Sequence, residues 1–456
     1  MRLTSQQLAI ASQGEWLSGK QEPVLIDGIC TDSREFIAGH AFLALRGVTF
    51  DGHTHAAQVA HKASALIGDQ QGATLWQDLT TPQLQVNDTL QALGDIAAYH
   101  RKQLTNTRVV AITGSYGKTT VRSMLQHVLS QSGVKVAATK ANFNNLIGVP
   151  KTLLAIDAEA DVAVIECGIS ELGEMQRIAA MVQPDVVILT GFTAAHSQGL
   201  GGLTGVVKEK FELVKHLQQD GFSVLGKGVA KHLVEAGCVM SLPTFGLDEA
   251  DAVSWQLTGQ DVLFSLQDEQ ASLKLSLPAE HWAEDMALVI TVVKQLVPSL
   301  NVARIVSALQ TWQAVDGRLQ VFAASKAQPF ALIDDSYNAN PASMQAGLDT
   351  LAKMAGKRIA IIADMLELGE NAKSAHAALQ LHDIDQVLCV GELMGELARG
   401  KSGHHVQYFE RLPALMHWLK QHHFPTQDST VLIKGSHSMG LAQVVDFLRN
   451  RGAHAL

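Results

Sequence analysis

The sequence has few aromatic residues, few cysteines and no long hydrophobic run. Phenylalanine, tryptophan and tyrosine make up 5% of the 456 residues, which argues against a base-stacking surface of the kind that binds single-stranded nucleic acid. The four cysteines form no CxxC pair, which excludes a zinc ribbon and a thioredoxin-type motif. The longest apolar runs, such as 286–293, are far shorter than the roughly 20 residues of a membrane-spanning helix.

Basic residues are also fewer than acidic residues. The chain has 35 lysines and arginines against 44 acidic residues and a formal net charge of −9, so it carries no overall basic footprint for nucleic acid. Residues 1–16 contain one arginine and no continuous apolar stretch, a pattern that is not typical of a signal peptide. We therefore expect a soluble, cytoplasmic protein that binds no nucleic acid and is not inserted in a membrane.

Three regions that differ in their sequence pattern predict an α/β protein with three domains. We expect a small N-terminal α/β domain over 1–84, a central parallel-sheet domain over 85–315 and a C-terminal Rossmann-like α/β domain over 316–456. The sequence pattern of residues 250–278 is more typical of antiparallel strands and predicts an insertion. Short β-branched runs that predict buried parallel strands lie at 108–112, 161–165, 185–189, 330–333, 358–362, 386–390 and 430–433.

The strongest local motif is a glycine-rich loop between a strand ending at Ile112 and a segment with helical apolar spacing. Such a loop wraps a polyphosphate with N–H groups at a helix N-terminus, while its lysine reaches the β- and γ-phosphates and its threonine binds Mg²⁺. The predicted nucleotide-binding residues are Gly114, Ser115, Tyr116, Gly117, Lys118, Thr119 and Thr120. Ile112 replaces the first glycine of the full motif, so this is a shorter variant. A glycine-rich turn with a solvated lysine is the alternative.

A nucleotide-hydrolysing loop also needs an acid at the end of a neighbouring strand to hold the metal ion. Glu166 fits this requirement because it ends the apolar run 162–165, although a surface or capping glutamate is the alternative. His196 follows the next predicted strand and is a candidate metal ligand or a hydrogen-bonded structural histidine. Together these residues predict a metal-dependent nucleotide site.

Five further segments resemble the Mur ligases, ATP-dependent enzymes that form amide bonds in peptidoglycan synthesis. The segments are 32–34 (DSR), 142–150 (NFNNLIGVP), 334–341 (DDSYNANP), 364–370 (DMLELGE) and 434–436 (KGS). They cover the whole chain in the order found in that family. The last three are similar to signatures of the members that join D-alanyl-D-alanine to UDP-N-acetylmuramoyl-tripeptide.

The resemblance implies an enzyme that uses ATP and Mg²⁺, with UDP-N-acetylmuramoyl-tripeptide and D-alanyl-D-alanine as substrates. ATP would phosphorylate the terminal carboxylate of the tripeptide, and the dipeptide amine would attack the resulting acyl phosphate, releasing phosphate. Such a reaction chiefly demands positioning and the neutralisation of negative charge. By the same resemblance, 1–84 binds the UDP-sugar-peptide, 85–315 binds ATP, 316–456 is the ligase domain, and the enzyme is a monomer.

The resemblance also implies roles for individual residues, with a carbamylated lysine among the metal ligands. The catalytic residues are Lys118, His196, Lys210 and Arg318. The metal ligands are Thr119, Glu166, His196 and Lys210. The nucleotide contacts outside the loop are His281, Asp335, Tyr337 and Asn338. The substrate contacts are Ser33, Arg34, Arg46, Asn144, Asn145, Lys434 and Ser436. For Lys210, simple solvation of a helix is the alternative.

Several positions depart from the family pattern around the expected adenine pocket. This chain has Gly226, Trp282 and Asp285 where relatives carry asparagines, and Gly191 also replaces an asparagine. One interpretation is that Trp282 stacks on the adenine ring. In the C-terminal region, His437 stands where relatives have an arginine.

Two other functions stay open at the level of sequence. One is a Mur-family ligase of another amino-acid specificity, or a folylpolyglutamate synthase, although the uridine-type N-terminal segment and residues 334–341 speak against it. The other is a nucleotide-binding regulator or scaffold that has lost ligase activity, which only the altered adenine pocket supports. Phosphate release that requires both co-substrates would separate the ligase from the regulator.

Overall fold

Three α/β domains follow one another along the chain, and the described residues form five β-sheets. The computed structural model describes residues 1–17, 24–193, 199–325, 328–401, 405–422 and 424–451. The chain divides into two compact units, the first made of Met1–Thr113, Ser132–Ile188 and Glu209–Ser223, the second of Gly114–Gln131, Leu189–Lys208 and Val224–Leu456. The domain boundaries expected from the sequence stay a prediction. None of the described helices is long and apolar enough to cross a membrane.

The N-terminal domain is a small sheet flanked by short helices. Its elements are β1 (Leu3–Thr4), α1 (Ser5–Ser12), β2 (Glu15–Trp16), β3 (Leu25–Ile26), β4 (Ile29–Cys30), β5 (Ala41–Leu43), α2 (Ala56–Val59), β6 (Ala65–Gly68), α3 (Gln70–Leu75) and β7 (Gln83–Gln85), with 3₁₀ turns at Ser33–Glu35 and Gly52–His55. The sheet runs in the order β2-β7-β6-β5-β4, and β1 pairs with β3. The strands β4 to β7 are parallel, which explains why β5 and β6 are apolar on both faces.

A buried histidine links the loops of this domain. His53 is 1% exposed, and its Nε2 accepts the backbone N–H of Asp69 at 3.2 Å, so its Nδ1 carries the proton and donates to Asp51. The indole N–H of Trp76 donates to the His53 carbonyl at 2.9 Å. A Cβ added at Gly72 would lie 1.8 Å from His53 Cδ2, so the ring leaves room only for glycine there.

The central domain carries a six-stranded sheet and a separate antiparallel sheet. Its helices are α4 (Thr89–Gln103), α5 (Lys118–Gln131), α6 (Gly148–Leu154), α7 (Glu174–Val182), α8 (Gly202–Lys215), α9 (Val229–Glu235), α10 (Glu280–Leu296) and α11 (Val302–Gln310). Its strands are β8 (Arg108–Thr113), β9 (Val136–Ala138), β10 (Val162–Glu166), β11 (Val186–Leu189), β12 (Phe222–Leu225), β13 (Thr244–Gly246), β14 (Ser254–Thr258), β15 (Asp261–Leu266) and β16 (Glu269–Lys274).

The order of the six-stranded sheet is β13-β12-β11-β8-β10-β9. The pairs β8–β10 and β10–β9 are parallel, and Ile112 lies opposite Glu166 in the register. The strands β14, β15 and β16 form an antiparallel sheet over Ser254–Lys274, which confirms the antiparallel texture predicted for 250–278. The core strands match the predicted apolar runs because parallel strands are buried on both faces.

The C-terminal domain is a second six-stranded sheet covered by helices. Its elements are β17 (Gln320–Phe322), β18 (Ala331–Asp335), α12 (Pro341–Ala352), β19 (Lys357–Ala363), α13 (Ala372–Ala377), β20 (Gln386–Val390), α14 (Met394–Gly400), β21 (Val406–Phe409), α15 (Leu412–Gln421), β22 (Ser429–Lys434) and α16 (Ala442–Arg451), with 3₁₀ turns at Gly369–Asn371 and His437–Met439. The order is β17-β18-β22-β19-β20-β21, and only β17 is antiparallel to its neighbour. The sheet is therefore mixed. Its parallel strands β18, β19, β20 and β22 match predicted strands, whereas β21 was not predicted.

Substitution Gly72→Ala should destabilise the N-terminal domain by about 1–3 kcal/mol, because the new methyl group forces His53 out of its network. Urea denaturation, with hydrogen exchange of the β6 amides, measures the loss. The matched control is Gly94→Ala in α4, where the new Cβ would meet only the flexible Cε of Met181 at 3.1 Å. We expect that control to be neutral or slightly stabilising, and equal effects of the two substitutions would contradict the packing argument.

Candidate active site

The predicted phosphate loop lies between β8 and α5, as the motif requires. Its conformation depends on glycine, because Gly117 has φ +77° and a Cβ there would lie 2.9 Å from Asp285 Oδ1. The Lys118 ammonium donates to the Gly114 carbonyl at 2.8 Å and closes the loop. Helix α5 then begins, with the N–H of Val121 bonded to the Gly117 carbonyl at 2.9 Å.

The loop is fastened to the segment that follows β11. The backbone N–H of Ser115 donates to the Gly191 carbonyl at 2.8 Å, and its hydroxyl accepts the N–H of Thr193 at 3.1 Å. The hydroxyl of Thr190 donates to the Tyr116 carbonyl. These bonds hold the loop backbone in place, which leaves positioned N–H groups at the start of α5 as an anion site.

Tyr116 and Gly191 are structurally coupled. A Cβ at Gly191 would lie 2.3 Å from the Cζ and Oη atoms of Tyr116, so the phenol ring lies directly on the glycine. Burial, together with the carboxyl groups of Glu284 and Asp285, raises the pKa of Tyr116 to about 12. The glycine that replaces an asparagine of relatives therefore accommodates the aromatic ring of this loop.

Glu166 is a buried carboxylate at the end of β10. It is 2% exposed, its backbone N–H donates to Thr139 Oγ1 at 2.9 Å, and its Oε1 accepts the Asn144 amide at 2.9 Å. The next residue, Cys167, donates its N–H to the Ile112 carbonyl at 2.8 Å. The position at a parallel strand end is the one expected of a metal-binding acid.

Glu166 and Thr119 each carry an oxygen donor of the kind that Mg²⁺ takes, and they belong to different compact units. A buried carboxylate (Glu166) and the hydroxyl of Thr119 in the first turn of α5 are hard oxygen donors of the kind that Mg²⁺ takes together with substrate phosphates. No cluster of three or more His, Cys, Asp or Glu side chains suited to a metal occurs among the described residues. His196 lies outside the described residues. Lys210 is 5% exposed, and its carbamylation stays a prediction.

Helix α10 presents three predicted or altered residues. Burial, followed by the ammonium groups of Lys434 and Lys353, lowers the pKa of His281 to about 4, so the imidazole is neutral at pH 7. Trp282 is 3% exposed and makes an edge-on contact with Trp312 at 5.4 Å between ring centroids. The structure thus contradicts the interpretation that Trp282 stacks on adenine, because its ring is buried in the protein core.

Asp285 lies on the same helix and faces the phosphate loop at Gly117. It is 7% exposed, and burial, with the nearby carboxyl of Glu284, raises its pKa well above the usual range. Glu284 accepts the backbone N–H of Lys227 at 3.2 Å. The raised pKa of Asp285 disfavours its charged form, and with it the repulsion that a carboxylate would exert on an anion at the loop.

Arg318 packs on Tyr337 in the second compact unit. Its guanidinium carbon lies 4.2 Å from the centre of the tyrosine ring, and the backbone N–H of Tyr337 donates to the Gly317 carbonyl at 3.1 Å. The buried Nε of Arg318 has no hydrogen-bond partner in the part of the chain that the structure describes. The imidazole ring of His437 also contacts Tyr337, with 5.3 Å between the two ring centroids. A buried N–H group without a partner is expected of an arginine whose guanidinium binds an anionic ligand.

Asp335 and Lys434 form a buried ion pair at 2.6 Å. Burial raises the pKa of Asp335, an effect that the Lys434 ammonium opposes. The ammonium also donates to the Asn338 carbonyl at 3.0 Å. These two partners occupy two of the three N–H donors of a buried ammonium group, and substrate binding by Lys434 stays a prediction.

Ser436 forms two hydrogen bonds to the loop that follows β19. Its hydroxyl accepts the N–H of Leu366 at 2.9 Å, and its own N–H donates to the Asp364 carbonyl at 3.1 Å. His376, fully buried, accepts the N–H of Met365 at 2.8 Å on the same loop. The role of His376 was not predicted, because its partner is a backbone group that sequence patterns do not reveal.

Ser33 and Arg34 lie on a short 3₁₀ turn. The Arg34 guanidinium pairs with Asp32 at 2.6 Å, yet its side chain is 85% exposed. The hydrogen bond and charge of Arg34 hold the pKa of Asp32 well below its usual range. This exposed, oriented arginine is suited to an anionic ligand, and its role in substrate binding stays a prediction.

Arg46 has more side-chain partners within the protein than Arg34 has. Its guanidinium pairs with Asp51 and Asp69, each at 3.2 Å, and bonds to Gln71.

Asn145 accepts the N–H groups of Ile147 and Gly148 with its side-chain oxygen, at 3.1 and 2.9 Å.

The predicted residues fall into the two compact units. The first holds Ser33, Arg34, Arg46, Asn144, Asn145, Glu166 and Lys210. The second holds the phosphate loop, His281, Arg318, Asp335, Tyr337, Asn338, Lys434 and Ser436. Glu209 is a further buried residue that the sequence did not indicate. Its carboxylate accepts the N–H groups of Gly173 and Met175 at 2.8 and 3.0 Å and caps α7.

Comparison with known proteins gives matches along most of the chain. Three family models match: "Mur ligase family, catalytic domain" over 25–101, "Mur ligase middle domain" over 112–293 and "Mur ligase, glutamate ligase domain" over 317–437. The UDP-N-acetylmuramoyl-tripeptide–D-alanyl-D-alanine ligase of Escherichia coli is 34% identical over 443 residues, covering 94% of this chain and 95% of the relative.

Solved structures agree in fold. MurF from Acinetobacter baumannii aligns with a TM-score of 0.86 at 29% identity, covering 98% of this chain and 99% of that one. MurF ligase from Thermotoga maritima in complex with ADP aligns with a TM-score of 0.81 at 22% identity, covering 94% and 98%. Both alignments support the predicted three-domain α/β architecture over nearly the whole chain.

Substitution Asp285→Asn should make the protein more stable at neutral pH. An acid whose pKa is raised by folding stabilises the fold below its unfolded pKa, near 3.8, and loses that contribution as the pH rises toward the folded pKa. The advantage of the variant in thermal unfolding temperature should therefore grow from pH 4.5 to pH 8. Asp446→Asn on α16, an exposed acid, is the control, and a pH-independent difference for Asp285→Asn would contradict the argument.

Substitution Lys434→Met should destabilise the C-terminal domain by about 3–5 kcal/mol, because it leaves Asp335 buried and unpaired. The double variant with Asp335→Asn should lose less than the sum of the two single losses. Urea denaturation of all three variants measures this coupling. Additive losses would show that the pair does not act as one unit.

Proposed function

Because this chain belongs to the Mur ligase family, we infer that it is the ligase that joins D-alanyl-D-alanine to UDP-N-acetylmuramoyl-tripeptide. It uses ATP to form an amide bond, and the products are UDP-N-acetylmuramoyl-pentapeptide, ADP and phosphate. The observation that carries this conclusion is the match to the Escherichia coli ligase, which extends over 94% of this chain and 95% of that enzyme.

The phosphate loop is proposed to bind the β- and γ-phosphates of ATP. Its backbone N–H groups, the start of α5 and the Lys118 ammonium are groups that attract a polyphosphate. Thr119 and Glu166 would hold Mg²⁺, which neutralises phosphate charge when it is bound. We further propose that His281, Asp335, Tyr337 and Asn338 contact the nucleotide, as the resemblance to the family implies.

The reaction requires a carboxylate to become an electrophile. The tripeptide carboxylate attacks the γ-phosphorus of ATP, ADP leaves, and an acyl phosphate forms. The dipeptide amine then attacks the acyl carbon and expels phosphate. Arg318 is suited to bind oxygens of the transferred phosphoryl group, because its planar fork donates to them in pairs and its Nε has no other partner in the described ranges.

The alternative of a regulator without ligase activity is not favoured. The residues that would do the chemistry, Lys118, Thr119, Glu166 and Arg318, are all present, and the altered positions lie at Gly191, Gly226, Trp282 and Asp285. We propose that the enzyme acts as a monomer in the cytoplasm. The acidic net charge and the lack of any described membrane-spanning helix are consistent with this proposal.

Phosphate release should require ATP, UDP-N-acetylmuramoyl-tripeptide and D-alanyl-D-alanine together. Lys118→Ala should lower kcat by a factor on the order of 100 or more, because it removes a donor to the developing phosphoryl charge. Phosphate release and mass-spectrometric detection of the pentapeptide product are the measurements. Tripeptides that end in lysine and in diaminopimelate are tested in parallel, since no motif separates them.

The matched control is Lys102→Ala, an exposed lysine in the last turn of α4, which should retain full activity. Nucleotide binding without product, with every combination of substrates, would reject the ligase and favour a regulator. Product formed only with another amino acid or dipeptide would keep the family and change the specificity.

A further inference from the structure

The segment between β9 and α6 wraps around the end of β10. Thr139 donates its N–H to the Val164 carbonyl at 3.0 Å, and its hydroxyl accepts the N–H of Glu166 at 2.9 Å. Farther along, the Asn144 carbonyl accepts the N–H of Gly168 at 2.7 Å. The backbone on both sides of Glu166 is therefore held by this one segment.

The side chain of Asn144 completes the arrangement. Its Nδ2 donates to Glu166 Oε1 at 2.9 Å. A Cβ at Gly168 would lie 3.1–3.3 Å from the amide atoms of Asn144, so the amide lies close against the backbone there. Glu166 itself is 2% exposed. A donor fixed at both its backbone and its amide restricts the rotation of this buried carboxylate.

We propose that Asn144 is a positioning residue for Glu166, whose carboxylate it holds in the orientation that binds the metal of the metal–nucleotide complex. The proposal rests on the proposed function, since it assumes that Glu166 is a metal ligand. Partners that orient a metal-binding group typically contribute a factor of about 10–100 to metal affinity. The role differs from the substrate contact that the family resemblance implies for Asn144.

The neighbouring Asn145 provides a contrast within the same loop. Its side-chain oxygen accepts two backbone N–H groups at the start of α6, and it makes no hydrogen bond to Glu166 among the described contacts. The two adjacent asparagines thus have different tasks. Asn145 shapes the turn, whereas Asn144 contacts the predicted metal ligand.

The test measures binding of Mn²⁺, a paramagnetic substitute for Mg²⁺, to the full-length protein saturated with ADP, by electron paramagnetic resonance. Asn144→Ala and the nearly isosteric Asn144→Leu should each weaken Mn²⁺ binding about tenfold. ADP affinity without metal should stay within about twofold of the parent protein. In turnover, the KM for Mg²⁺ should rise, and the KM for the tripeptide should not change. Asn142→Ala, which changes an exposed asparagine of the same segment, is the matched control and should bind Mn²⁺ like the parent protein.

Parent-like Mn²⁺ affinity in a folded Asn144 variant would overturn the proposal. A raised KM for the tripeptide with parent-like Mn²⁺ affinity would also overturn it and would assign Asn144 to the substrate. If Asn144→Ala does not fold, Asn144→Leu decides, because it keeps the volume of the side chain. Failure of the proposed function is distinguishable, since the parent protein would then form no pentapeptide with the full set of substrates, whatever its Mn²⁺ affinity. A wrong metal assignment would show as a Glu166→Gln variant with unchanged Mn²⁺ affinity.

Discussion

The parallel pairing of β8 with β10 is the constraint on which the rest of the site depends. Ile112 lies opposite Glu166, and the N–H of Cys167 bonds to the Ile112 carbonyl. The strand that pairs with β10 continues directly into the phosphate loop at Gly114. A slip of one residue would turn the Glu166 side chain to the other face of the sheet. The five-residue register of β8 with β10 and the bond from Cys167 to Ile112 hold the acid in its position.

Polar residues in the predicted site segments mainly hold other residues of the protein in place. Asn144 donates to Glu166, Ser436 accepts from Leu366, and Lys434 is paired with Asp335. Such bonds are expected because a buried polar group without a partner costs free energy. Several residues whose family motifs suggest ligand contact therefore have internal partners in this structure. Family resemblance identifies the segments that matter, and the geometry shows which side chains in them are already engaged.

The departures from the family pattern are compensated locally. Gly191 leaves the space that the Tyr116 ring occupies, and buried Asp285 faces Gly117 with a raised pKa. Trp282 fills the protein core against Trp312, whose indole N–H donates to Ser123 on α5 at 3.0 Å. The unusual residues on α10 thus pack against the loop and the helix that follows it. They change the surroundings of the predicted nucleotide site, and Lys118, Thr119 and Glu166 are all present.

From the sequence alone we could predict the parallel strands at 108–112, 161–165, 185–189, 330–333, 358–362, 386–390 and 430–433, the antiparallel pattern over 250–278 and a glycine-rich loop between a strand and a helix. Each depends on local periodicity or on residues close together in the chain. The alternation of apolar runs with helical spacing was enough to predict the parallel sheets. Tertiary structure alone decided the partners of Asn144, Lys434 and Trp282. These partners are 22, 99 and 30 residues away along the chain, at Glu166, Asp335 and Trp312. Such contacts arise when whole elements pack together, and no local pattern specifies them.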